Sequence, residues 1–200
     1  MDHATDLMAD TYELALRIVN DLDDGAFAAT PIDAFIKTVQ PDQKFSYDLI
    51  NGALTEYILF DADIKGHKGA LGLLADTGND CPKTRLARSL SNTAVFSQFT
   101  IKSQSPDTDT AILVNPKNKV EYTVFSPLLA HRTDWTGGAV ACRVGFVDPA
   151  EPCRMVSIVP LHDNAPHPDL YSCDFINFCQ MVIGKSGIYT ASAIHYTAEN

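Results

Sequence analysis

Residues 162–174 read HDNAPHPDLYSCD, which sets two histidines, three aspartates and a cysteine beside two prolines. Imidazole and carboxylate are ligands for zinc, iron or manganese, so the residue types suit a metal. The spacing does not. His162 and His167 are too far apart for a helical pair, and Pro166 and Pro168 push Ala165 and His167 toward extended backbone. The two imidazoles should then point to different places and share no ion. No metal and no other cofactor is expected.

A nucleophilic reading uses the same loop. Any of Cys142, Cys153, Cys173 or Cys179 has the thiol, and His131, His162 or His195 could serve as base with an aspartate orienting it. The stretch HRTDWTGG, 131–138, places His131, Asp134 and the single tryptophan, Trp135, in a loop between strands, where functional groups tend to sit. If the 131–138 and 162–174 loops converge, the site of a Cys/His hydrolase or metal-dependent enzyme would be His131, Asp134, His162 and Cys173. The plainer alternative has Trp135 plugging the end of a sheet, His131 solvated, and the cysteines as small core residues.

Two lysine-glycine stretches invite a phosphate. Lys185 in GKSG lacks the glycine a phosphate-binding loop requires at position 179, where Cys179 stands. KGHKGALG, 65–72, has the cations and glycines for an acidic group but no GxGxxG spacing, so a flexible connector explains it better.

The elements that must position these groups fall into two halves. Residues 5–22 repeat apolar positions Met8, Tyr12, Ala15, Val19 and Leu22, an amphipathic helix. Thr30 and Pro31 open a second helix with Ile32, Phe35, Ile36 and Val39 on one face, and Pro41 stops it. A third runs over about 43–62, burying Leu49, Ile50, Ala53, Leu54, Tyr57 and Ile58. After residue 93 come short β-prone runs, with GAVACRVGFV and CRMVSIVPL flanking DPAEP as a hairpin. Its register should set Val144 near Val156 and Cys142 near Ile158. LYSCDFINFCQMVI fits a strand or a helix, and GIYTASAIHY a strand.

The expected fold is α+β: N-terminal helices (about 5–62) packed on a mainly antiparallel sheet (about 93–197). One domain is expected, with an acidic helical part at 1–63, a glycine-rich connector at 64–92 and the β part at 93–200. At 200 residues, with 46% hydrophobic and 20% charged, the chain can hold a core without staples.

Charge is the most uneven feature. Residues 1–63 contain 13 acidic and 3 basic side chains, a balance of −10, whereas the remainder has 12 of each. An acidic surface disfavours nucleic acid. No basic leader precedes an apolar run, and no apolar stretch is long enough for a membrane, so a cytoplasmic protein with five reduced thiols is expected. Asp21, Asp23 and Asp24 lie where the first helix ends, against its dipole, so local stability does not explain them. The leading expectation is a noncatalytic protein-binding module whose acidic helical face, Asp21, Asp23 and Asp24, meets a basic partner, as an inhibitor, immunity factor or chaperone would. A hydrolase or metal-dependent enzyme at the two loops is the alternative. A structural subunit that assembles into a homo-oligomer is a third.

Overall fold

The computed structural model describes residues 3–148, 150–171, 173–188 and 194–195. Helix α1 (His3–Asp21) buries Thr11, Ala15 and Val19, a four-residue repeat that forms one stripe. A kinked turn leads into α2 (Ala29–Val39). Only Pro31, Phe35 and Val39 of that helix are buried. Ile32 and Ile36 are exposed, so the expected four-residue face is narrower by two. Thr30 and Pro31 lie inside the helix, because the preceding turn already runs helically into Ala29.

Helix α3 (Tyr47–Phe60) is capped by the Ser46 hydroxyl, which accepts the Leu49 N–H at 3.2 Å. Its buried stripe is Leu49, Ala53, Glu56, Leu59 and Phe60. Residues 64–92 are largely ordered into short elements. They form a two-stranded turn, β1 (Asp63–Ile64) with β2 (His67–Lys68), and two helices, α4 (Gly69–Ala75) and α5 (Pro82–Thr93). Ala70, Leu71, Leu74, Leu86, Ala87 and Leu90 carry these helices into a core shared with α1 and α3. Gly69 makes the approach possible: its φ is +69°, and a Cβ there would sit 2.3 Å from the Leu59 carbonyl oxygen.

The β part begins with β3 (Val95–Ser105), followed by β4 (Thr110–Val114), β5 (Glu121–Phe125), a short helix α6 (Pro127–Ala130), β6 (Ala139–Gly145), β7 (Cys153–Met155) and β8 (Leu161–Asp163). Strand β3 is long enough to pair with β6 through 95–100 and with β4 through 100–105, bending at a register shift near Ile101 and Ser103. The ring β3-β4-β5-β7-β6 closes on β3, so the sheet is a barrel with no free edge there. Its pairings are antiparallel except β5 with β7, which is parallel, so the sheet is mixed. Strand β9 (Ile194–His195) pairs with β8 outside the ring. Of the rest of the expected 187–196 strand, Gly187 and Ile188 are not in a strand, and 189–193 and 196 lie outside the described residues.

The hairpin arms pair, offset by one residue from expectation. Val144 faces Met155 and Gly145 faces Arg154. Cys142 has no partner in β7; β8 takes over that edge, with Ala141 opposite Leu161. The cause is the long link at 146–152, which unlike a two-residue turn does not dictate register.

Strand β6 separates the barrel interior from the helices, and all its residues are buried. Val140, Cys142 and Val144 face the barrel interior with Phe99, Ile101, Leu113 and Val124. The opposite face meets the helices. There Ala141 packs with Phe35, Val39 and α7 (Phe175–Ile183), which buries Phe175, Phe178, Cys179, Val182 and Ile183. That segment, ambiguous in sequence, is a helix capped by Asp174, whose carboxylate accepts the Asn177 N–H at 2.9 Å. No helix among the described residues is long and apolar enough to cross a membrane.

Arg143, only 2% exposed, is the charge at the centre of the fold. Its Nε donates to Glu56 Oε1 at 3.3 Å, and its Nη2 pairs with Asp61. The guanidinium also lies 4.5 Å from the Phe60 ring centroid and 5.4 Å from that of Phe175. Glu56 is fully buried and accepts further bonds from Ser157 Oγ (3.3 Å) and the N–H groups of Ile158 (2.8 Å) and Val159 (3.4 Å). These bonds tie α3 to β6 and to the 156–160 link between β7 and β8. Tyr12 adds a clasp from α1, donating to the Val156 carbonyl at 2.9 Å.

Candidate functional site

The 131–138 and 162–174 loops do converge, through Trp135 and His162. Their rings stack with centroids 3.9 Å apart and 10° between planes. Trp135 is 8% exposed and belongs to the barrel core, so it plugs the end of the barrel. Gly138 lets the strands close over this stack: a Cβ there would lie 2.7 Å from the Asp163 carbonyl and 3.2 Å from His162 Nε2. Gln104 holds the first loop by donating to the Arg132 carbonyl and accepting from Thr136.

The second loop is tied to itself. Asp163 is buried; one of its oxygens accepts the Ala165 N–H at 3.1 Å, and the other meets His167 Nε2 at 2.6 Å. Gln98 accepts the His167 N–H at 2.9 Å, fastening the loop to β3. His162 and His167 thus face different neighbours, an indole and a carboxylate. The arrangement is that of an ordered polar turn beside a plugged barrel end.

The other residues of the enzyme alternative stand apart. His131 is largely exposed and pairs with Asp109 at 3.0 Å. Asp134 sits on the one-turn 3-10 helix Thr133–Trp135. Cys173 donates to the Asp169 carbonyl at 3.3 Å and meets the Met181 sulfur at 3.5 Å; among the described residues no hydrogen bond joins it to an imidazole. Burial first, then Asp174 and Asp169, push its thiol up. Burial likewise raises Cys142, Cys153 and Cys179. The thiolate is the nucleophile, so these four are poorly suited to attack.

Cys81 differs. At the start of α5 it accepts hydrogen bonds from Thr84, backbone first and hydroxyl second, and these hold its thiol below the ordinary value of 9.0. Native protein should therefore show one fast-reacting thiol in a time-resolved aromatic-disulfide assay, and unfolding should release the other four, since all five cysteines are free. Cys81→Ser should abolish the fast phase; a fast phase that survives would contradict this assignment.

The acid cluster at the end of α1 has a distinct geometry. Asp23, Asp24 and Gly25 take positive φ values of 51°, 54° and 89° in succession. Left-handed backbone costs a non-glycine residue about 1–2 kcal/mol, less for Asp. Asp23 is pinned there by Lys65 Nζ at 2.6 Å, and the same ammonium lies 5.7 Å from the centroid of the Phe27 ring. Other acids are also neutralised within the chain, Asp10 by Lys83 at 3.0 Å and Glu13 by Arg17 at 2.7 Å. Asp6, Asp21 and Asp24 are exposed and have no ion pair among the described residues.

Sequence reasoning missed Arg143, Glu56 and Asp61. A signal existed: Glu56 lies on the apolar stripe of α3 at the i, i+4, i+7 spacing from Leu49, and Arg143 is the lone charge in an apolar strand. Among the described residues, no three His, Cys, Asp or Glu side chains are placed to hold a metal ion. Compared with family models, curated proteins and solved structures, the chain matches none of them.

Proposed function

We propose that the chain is a noncatalytic protein-binding module that presents the acidic edge of α1 and the turn after it, Asp6, Asp21 and Asp24 above all, to a basic partner. The observation that supports this reading most is the turn at 21–25. Two consecutive aspartates in left-handed backbone are a local cost, and Asp23 spends its charge on Lys65 while Asp21 and Asp24 remain in solvent. Strained backbone of this kind tends to persist where a surface is used. Exposed charge of one sign also speeds encounter with a partner of the other.

The test uses a fluorescent Lys/Arg-rich peptide and anisotropy at low ionic strength. Asp21→Asn with Asp24→Asn should weaken binding by about three- to tenfold, the scale of two exposed ion pairs. Stability should stay level or rise by about 0.3–1 kcal/mol, since Asp21 opposes the α1 dipole. Equal binding by the variant, or its unfolding, would overturn the reading.

A further inference from the structure

The glycine-lysine stretch at 65–72 lines a cavity. Between the β1–β2 turn and α5 lies a cleft of about 430 Å³, bordered by His67, Lys68, Asp76, Arg88, Ser91 and Asn92. That volume is in the range of small-molecule sites and exceeds the needs of a single ion. Lys68 and Arg88 bring two permanent positive charges to it, against the one carboxylate of Asp76, in a chain whose net charge is −10. Asp76 is itself engaged by His67 Nδ1 at 3.0 Å. Asp61 reaches Lys68 only at 3.9 Å, so the ammonium keeps donors to spare.

Arg88 is held in place. Its Nη2 donates to the Ala75 carbonyl at 3.1 Å, which fixes the guanidinium at the end of α4 and leaves its other N–H groups for the cleft. The hydroxyl of Ser91 is buried and has no hydrogen-bond partner among the described residues. A buried hydroxyl is normally satisfied, and this residue lines the same cleft as the two cations. It also touches a void of about 10 Å³ shared with Arg143, room for one water.

We infer that this cleft binds the phosphate of a small phosphorylated molecule, with Lys68 and Arg88 as charge partners, Ser91 Oγ as the buried donor and Asn92 at the rim. A guanidinium, an ammonium and a hydroxyl are the donor set that suits tetrahedral oxygens. The remaining volume takes the organic part. The site is separate from the acidic edge of α1 and does not depend on it.

The experiment is an amide-shift titration of the full chain with inorganic phosphate and with glycerol phosphate, against sodium chloride at matched ionic strength and succinate as a carboxylate control. Saturable shifts at 66–72 and 88–92 are expected with both phosphates, tighter for the ester, and absent with chloride. Arg88→Gln and Lys68→Gln, both on exposed side chains, should each weaken binding at least about tenfold, with an unchanged melting temperature for Lys68→Gln and at most a small drop for Arg88→Gln, which loses its bond to the Ala75 carbonyl. Ser91→Ala should weaken it severalfold; unaltered affinity in Ser91→Ala would assign that hydroxyl to the buried water and remove it from the site. Shifts reproduced by chloride, or undiminished by Arg88→Gln, would overturn the proposal. Stronger binding of succinate than of phosphate would overturn its ligand class.

Discussion

Arg143→Met lowers the unfolding free energy by about 3–5 kcal/mol, because it strands the Glu56 carboxylate in the core. That is a large share of the roughly 5–15 kcal/mol a domain of this kind possesses. Glu56 would keep only Ser157 and the N–H groups of Ile158 and Val159 as donors. Burial pushes its carboxyl above the ordinary 4.5, and Arg143 is the chief counterweight, followed by those backbone N–H groups. Losing the guanidinium raises it further. A carboxyl with a raised folded value binds its proton on folding, so stability is present at low pH and lost as pH rises through that value. The deficit of Arg143→Met should therefore narrow as pH falls. Glu56→Gln, which keeps the shape and one acceptor oxygen, should cost less, about 1–3 kcal/mol. Urea midpoints at two pH values measure both; a deficit under about 1 kcal/mol for Arg143→Met would show that the ion cluster does not join the layers.

Trp135→Ala costs about 3–5 kcal/mol, by emptying the end of the barrel. The indole contributes to the interior cluster, covers His162 face to face at 3.9 Å and carries Arg132 on its other contacts at 5.2 Å. Trp135→Phe should lose only part of this, since a ring still fills the volume. As the only tryptophan, Trp135 should also emit at short wavelength in the native protein and shift to the red on unfolding. A red native spectrum, or a near-neutral Trp135→Ala, would mean that the barrel end is open and the 131–138 loop free.

Much of this fold was legible, for identifiable reasons. The first three helices announce themselves because their apolar positions recur at helical spacing. The two faces of β6, Val140, Cys142 and Val144 against Ala141, Arg143 and Gly145, follow from period-two alternation. What stayed hidden depends on pairings distant in sequence. Closure of the barrel needs β3 to bend from β6 to β4 and β5 to run parallel to β7, and no local pattern encodes either. The α4 helix was obscured by its glycines, one of which serves a close approach to α3. At the candidate loops, residue type suggested chemistry, and tertiary context decided which neighbours each imidazole met. His162 went to Trp135 and His131 to Asp109. The acid turn was visible as composition, whereas its left-handed backbone and its tether to Lys65 were not.

The most direct test of the account is a residue-resolved map of where a basic ligand touches the chain. A titration of isotope-labelled protein with the Lys/Arg-rich peptide at low salt should move amides between residues 6 and 24 saturably. Those shifts should collapse near 1 M salt, where screening shortens to about 3 Å. Shifts confined to other surfaces, or insensitive to salt, would contradict the assignment of the acidic edge of α1 as the binding face.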